Sequence, residues 1–120
     1  MKLLYTIIFS LLFFLPQNDD FIFNNGNQKI TLKIDDGKRN LNWGITSILN
    51  LKVNNINPLK MNISAPGIKF IKSENDKSEM NLQITPTKEI IEKDSLNLRV
   101  SYRDENNEYV SHKFSILIKE

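Results

Sequence analysis

His112 is the single histidine of this 120-residue chain, and cysteine is absent. An imidazole offers a general base or a metal ligand, but either role needs a second group beside it. Val110-Ser111-His112-Lys113-Phe114 supplies none. The alternation that turns Val110 and Phe114 inward also turns His112 inward, or to the edge of the core. His112 therefore reads as a structural histidine. Asp104, Glu105 and Glu108, with Asn106 and Asn107, are oxygen donors at a spacing unlike the twelve-residue EF-hand loop, so they read as a polar hairpin tip. Asp19-Asp20 and Asp35-Asp36 read as a flank and a turn. No Gly-x-Ser-x-Gly, Walker loop, dinucleotide fingerprint or His-Glu-x-x-His occurs, and four glycines leave no phosphate-cradling loop. The lack of cysteine also excludes thiolate zinc sites, lipoprotein acylation and cysteine catalysis. The expectation is a chain that is not an enzyme, with no catalytic residue, cofactor or metal. Asn62-Ile63-Ser64 fits the glycosylation sequon, which matters only in a host that glycosylates exported proteins.

What would position these residues is a set of β-strands. From Asn18-Asp19-Asp20 onward the apolar residues recur with a period near two, the mark of half-buried strands. Gln28–Ile34 places Ile30, Leu32 and Ile34 on one face. Ile45–Val53 does the same with Leu49, Leu51 and Val53. Shorter runs follow, with Met61 and Ile63, then Ile68 and Phe70, then Met80, Leu82 and Ile84 as the apolar positions. The strongest runs are the last two: Leu96, Leu98, Val100 and Tyr102, then Val110, Phe114, Ile116 and Ile118. Turn chemistry separates them at Asp36-Gly37, Asn57-Pro58, Ala65-Pro66-Gly67 and Thr85-Pro86-Thr87. Arg103 to Glu108 is a polar hairpin loop. Lys88-Glu89-Ile90-Ile91-Glu92-Lys93 is left open between one helical turn and a crossover between two sheets. Seven or so strands in about 100 residues make one sandwich domain, with no internal repeat and no disulfide to support it.

The N-terminus has a different character. Met1-Lys2 is followed by an apolar run from Leu3 to Leu15 and a breaker, Pro16, the layout of a secretory signal peptide. As a helix that run is roughly 20 Å long, short of the ~30 Å hydrocarbon core. Leu15-Pro16-Gln17-Asn18 is a poor cleavage site, so an uncleaved anchor stays open. The expected organisation is residues 1–18 as signal peptide or uncleaved anchor and 19–120 as the β domain, exported to the periplasm, the cell surface or the medium. Membrane contact is expected only through the N-terminal segment, if it is uncleaved. The formal charge is +2, with acidic and basic residues interspersed, so no nucleic-acid footprint is present.

Leu82-x-Ile84-x-Pro86, then Leu96-x-Leu98-x-Val100-x-Tyr102, a polar loop and an alternating strand to Ile118 resemble the last three strands of bacterial immunoglobulin-like domains. The resemblance covers about a third of the chain and implies an all-β, immunoglobulin-like antiparallel sandwich, without implying one function. Antibody-type hallmarks are missing: there is no cysteine pair, and Trp43 has no inter-sheet disulfide to pack on. Asn57-Pro58-Leu59-x-Met61-x-Ile63-x-x-Pro66-Gly67 is similar to an Asn-Pro-containing strand in the periplasmic shaft protein of the gliding-motility and type IX secretion machinery. The sequence departs from it at Ile56, where that family tends to be acidic, and is too short for the whole shaft.

The function these readings leave is an exported binding or structural module of the cell envelope or surface that contacts another envelope or surface protein. The alternative is a small periplasmic inhibitor, or an accessory subunit of an envelope secretion or motility complex. Loops on a rigid sandwich carry most recognition. The candidate partner-binding residues are therefore Asn54, Asn55, Asn57 and Pro58 in one loop and Asp104, Glu105, Asn106 and Asn107 in another.

Overall fold

The structure is a computed structural model that describes residues 21–71 and 78–120. The expected leader, residues 1–18, lies outside the described residues, as does Asp19-Asp20. Among the described residues, no helix is long and apolar enough to cross a membrane.

Among the described residues nine strands form: β1 (Ile22–Asn25), β2 (Gln28–Ile34), β3 (Asn40–Asn42), β4 (Ser47–Asn54), β5 (Asn62–Ser64), β6 (Lys69–Ile71), β7 (Glu79–Ile84), β8 (Ser95–Arg103) and β9 (Tyr109–Lys119). They make a five-stranded sheet in the order β1-β2-β4-β7-β6 and a four-stranded sheet in the order β3-β9-β8-β5. With β2, β4, β7 and β6 taken as A, B, E and D, and β5, β8 and β9 as C, F and G, this is the ABED and CFG arrangement of the immunoglobulin sandwich. All neighbours are antiparallel except β3, which runs parallel to β9.

Alternation explains the core. Ile30, Ile34, Leu49, Leu51, Leu82 and Ile84 of the larger sheet meet Leu96, Leu98, Val100, Phe114 and Ile116 of the smaller one, all fully buried. Each such side chain contributes about 1.5–3 kcal/mol relative to exposure, which holds a domain without disulfides. One polar strap joins the sheets at one end. The buried Tyr102 hydroxyl of β8 donates to Gln28 Oε1 of β2 at 3.0 Å, and Asn25 Nδ2 donates to the same oxygen at 3.2 Å.

The strand expected at Gln28–Ile34 is found as such. The one expected over Ile45–Val53 begins at Ser47, because Gly44, at φ 72°, turns the chain and leaves Ile45 exposed. Two short strands, β1 and β3, add to the expected seven. Lys88–Lys93 combines both alternatives left open for it. The Ile91 amide donates to the Thr87 carbonyl at 3.1 Å in a single helical turn, and the segment carries the chain from β7 in one sheet to β8 in the other. Phe70 departs from its reading as a buried position. It lies opposite Leu82 on the inward side of β6, yet it is 65% exposed. The reason is positional: β6 is the outer strand of a five-stranded sheet, and the facing sheet has only four.

Candidate functional site

Three connections meet at one end of the sandwich: the β1–β2 turn, the β4–β5 connection and the β8–β9 hairpin. Each is held by its own side chains. Asn55, in the left-handed region at φ 60°, donates from Nδ2 to the Asn27 carbonyl at 2.8 Å, while its own carbonyl accepts from Gln28 Nε2 at 3.2 Å. Asn57 caps a 3-10 turn over Pro58–Lys60, its Oδ1 accepting from the Leu59 amide at 3.0 Å, and proline at the first position suits that cap. Asp104 Oδ1 accepts from the amides of Asn106 and Glu108, both at 2.9 Å, and Arg103 Nη1 donates to the Asn107 carbonyl at 3.0 Å. Asn107, at φ 60°, supplies the left-handed residue that this hairpin tip requires.

The two loops expected from the sequence lie at the same end, each against the β1–β2 turn. Lys60 and Asn62 form one wall of a groove of about 460 Å³, and Arg103, Asp104, Asn107 and Tyr109 form the other. A smaller hollow of about 190 Å³ separates the β1–β2 turn, Asn25 to Gln28, from Asp104, Glu105 and Asn106. Of the expected residues, Asn55, Asn57 and Asp104 use their side chains to hold the loops, whereas Glu105, Asn106 and Asn107 are exposed at the tip. Asn54 closes β4 opposite Lys29.

Sequence reasoning missed Leu59, which is 93% exposed on its turn, and Tyr109, which is 64% exposed at the start of β9. Signals for both were present. Leu59 is an apolar residue inside a polar turn with no strand to bury it, and Tyr109 shares the outward parity of Ser111 and Lys113. The Ser101 hydroxyl beside the Tyr109 phenol, helped by Ser111 and by the charges of Arg99 and Arg103, holds its pKa below the ordinary 10.0. Burial pushes the Tyr102 phenol the other way.

His112 lies half-buried on the inner side of β9, away from these grooves. Its ring stacks on Phe23 of β1 at 4.4 Å and meets Phe114 edge-on at 4.6 Å, and burial holds its pKa below 6.5. This is the core-edge position expected of it. Among the described residues, no group of three or more His, Cys, Asp or Glu side chains is placed to hold a metal ion.

No family model and no curated protein matches the chain. Among solved structures, it is similar to the BIgI domain of beta protein from S. agalactiae, determined bound to CEACAM1. The two are 12% identical, with a TM-score of 0.43 over 75% of this chain and 96% of that domain.

Proposed function

We propose that the chain is an exported, non-enzymatic binding module that engages another envelope or surface protein through its loop end. The observation that carries this reading is the convergence of three connections whose backbones are pinned by Asn55, Asn57 and Asp104, while Tyr109 stands exposed in the groove wall and Leu59 stands exposed on its turn, next in sequence to the wall residue Lys60. A pinned loop loses little conformational entropy on binding, so its contacts convert to affinity more fully. An exposed leucine and tyrosine flanking polar groups supply apolar anchors with directional contacts around them. Export is supported by the Lys2-led apolar run from Leu3 to Leu15.

Affinity capture from the envelope fraction of the host, with Leu59→Asp run in parallel, tests the binding reading. Because Leu59 is almost wholly exposed, the variant should melt as the wild type does and lose the captured protein. Capture that is indifferent to Leu59→Asp and to truncation of the Asn106 and Asn107 side chains would overturn it. For export, mass spectrometry should find an N-terminus between about Pro16 and Phe21, or full-length chain in the membrane fraction. Full-length soluble chain in the cytoplasm would refute it.

A further inference from the structure

The four-stranded sheet carries no acidic residue in any of its strands, whereas Arg99, Arg103, Lys113 and Lys119 lie on β8 and β9. Arg99 and Lys113 are direct cross-strand partners, both exposed on the outer face. Like charges set opposite each other weaken a sheet, because their Cβ atoms are only about 5 Å apart. Neither residue takes part in an ion pair between described residues. The other outward positions include Asn97, Ser101, Ser111 and Ser115, with Asn62 and Ser64 on β5 and Leu117, 50% exposed, towards the β3 side. Small serines leave the cations standing clear. Tyrosine, serine, asparagine and arginine together are the composition of adaptable protein-recognition surfaces.

We infer that this outer face, centred on Arg99 and Lys113 and bounded by Arg103 and Tyr109, docks an acidic segment of a partner protein. The inference rests on the reading of the chain as a protein-binding module and names the charge of what it binds. Arginine forks select planar carboxylates by paired hydrogen bonds. Nucleic acid fits poorly, since three cations around one centre match few of its phosphates, which follow one another every ~1.7 Å of duplex. Size decides how the partner must lie. From Asn97 to Arg103 the face runs about 20 Å, and three strands give it a width of about 14 Å, or roughly 300 Å². A stable interface takes about 800 Å² from each partner. The remainder is supplied where the face runs on into the loop-end groove, whose walls include Asn62, Arg103 and Tyr109.

Poly-L-glutamate is the probe, applied to the full-length chain at low salt and again as sodium chloride is raised. Binding should weaken steadily with salt, and Arg99→Ser with Lys113→Ser should weaken it by about ten-fold or more. The same change of two charges on the other sheet, Lys29→Ser with Lys33→Ser, should leave it within about two-fold. Thermal melting checks that both double variants are folded. Equal loss from the two pairs, or none from Arg99 and Lys113, overturns the inference, because the binding would then report net charge alone. Tighter binding of dextran sulfate or of phosphatidylglycerol vesicles, dependent on Arg99 and Lys113, overturns it in favour of a polysaccharide or a lipid surface. The two experiments separate this inference from the reading beneath it. Capture that is indifferent to Leu59→Asp fails the module reading, whereas poly-L-glutamate binding that is indifferent to Arg99→Ser with Lys113→Ser fails the docking face.

Discussion

The two sheets are alike inside and different outside. Both turn a continuous row of fully buried aliphatic side chains inward, but the outer face of the five-stranded sheet is closed by its own polar groups. Asn50 Nδ2 donates to Asn81 Oδ1 at 2.9 Å and lies 3.5 Å from Glu79 Oε2, and Lys52 sits directly opposite Glu79. The outer face of the four-stranded sheet sets the Tyr109 phenol on Ser101 and Ser111, but opposes Arg99 to Lys113. Since the inner faces hold the fold, an outer face is free to be chosen for another purpose.

The strongest way to break this comparison is to show that the inner faces are unequal. Phe114→Ala should cost about 3–5 kcal/mol and Leu51→Ala about 2–5, read by denaturant unfolding, because both side chains are fully buried. The neighbouring Lys113→Ala should stay within about 0.5 kcal/mol. Similar losses from Phe114→Ala and Lys113→Ala would mean that the register of β9 is off by one residue.

The strap between the sheets comes next. Gln28→Ala leaves the Tyr102 hydroxyl buried without its acceptor and should cost about 1–3 kcal/mol, whereas Tyr102→Phe removes the donor and should cost about 0.5–1.5. A Gln28→Ala loss no larger than that of Tyr102→Phe would show that water replaces the glutamine. On the outer faces the signs should differ. Asn50→Ala removes a cross-strand bond and should lower stability by about 0.5–1.5 kcal/mol, while Arg99→Ser relieves a like-charge pair and should leave the melting temperature unchanged or raise it. Matching losses would erase the difference between the faces.

The parts legible in the sequence are those where one residue's burial depends on its own strand. β2, β8 and the inward rows of β7 and β9 emerge from alternation because a period of two is all that burial on one face demands. β1 and β3 were not legible: at four and three residues they are too short for a period to show, and pairing with β2 and β9 is what makes them strands. Phe70 shows the same limit from the other side. Its parity is inward, but whether a strand lies across from it depends on the width of the opposite sheet. The loop residues of the candidate site were legible as turns, since Asn-Pro and Asp-x-Asn-Asn report local backbone chemistry. Their convergence was not, because it depends on which strands each loop joins. The basic face was also hidden, because in sequence its cations are scattered among acidic loops and only strand pairing sets Arg99 beside Lys113.

The smallest expected effect concerns a titrating group whose ring packs between the two sheets. His112 packs between Phe23 of the five-stranded sheet and Phe114 of the four-stranded one, and burial lowers its pKa below 6.5. Above pH 6.5 the ring is neutral in both the folded and the unfolded chain, so its packing contributes in full. As pH falls below 6.5 the unfolded chain takes up a proton that the folded chain resists, and stability declines until the pH has passed through the lowered folded value. His112→Phe keeps an aromatic ring between the two phenylalanines and removes the titration. Because the two proteins differ only at residue 112, the difference between their melting temperatures from pH 7.5 to 5 isolates the imidazole. The wild type should lose ground to His112→Phe over that range, and both should bind the same partner. A wild type that instead gains on acidification would mean that the aromatic faces stabilise the imidazolium by more than burial opposes it. His112 would then be a cationic clasp between the sheets rather than an apolar one.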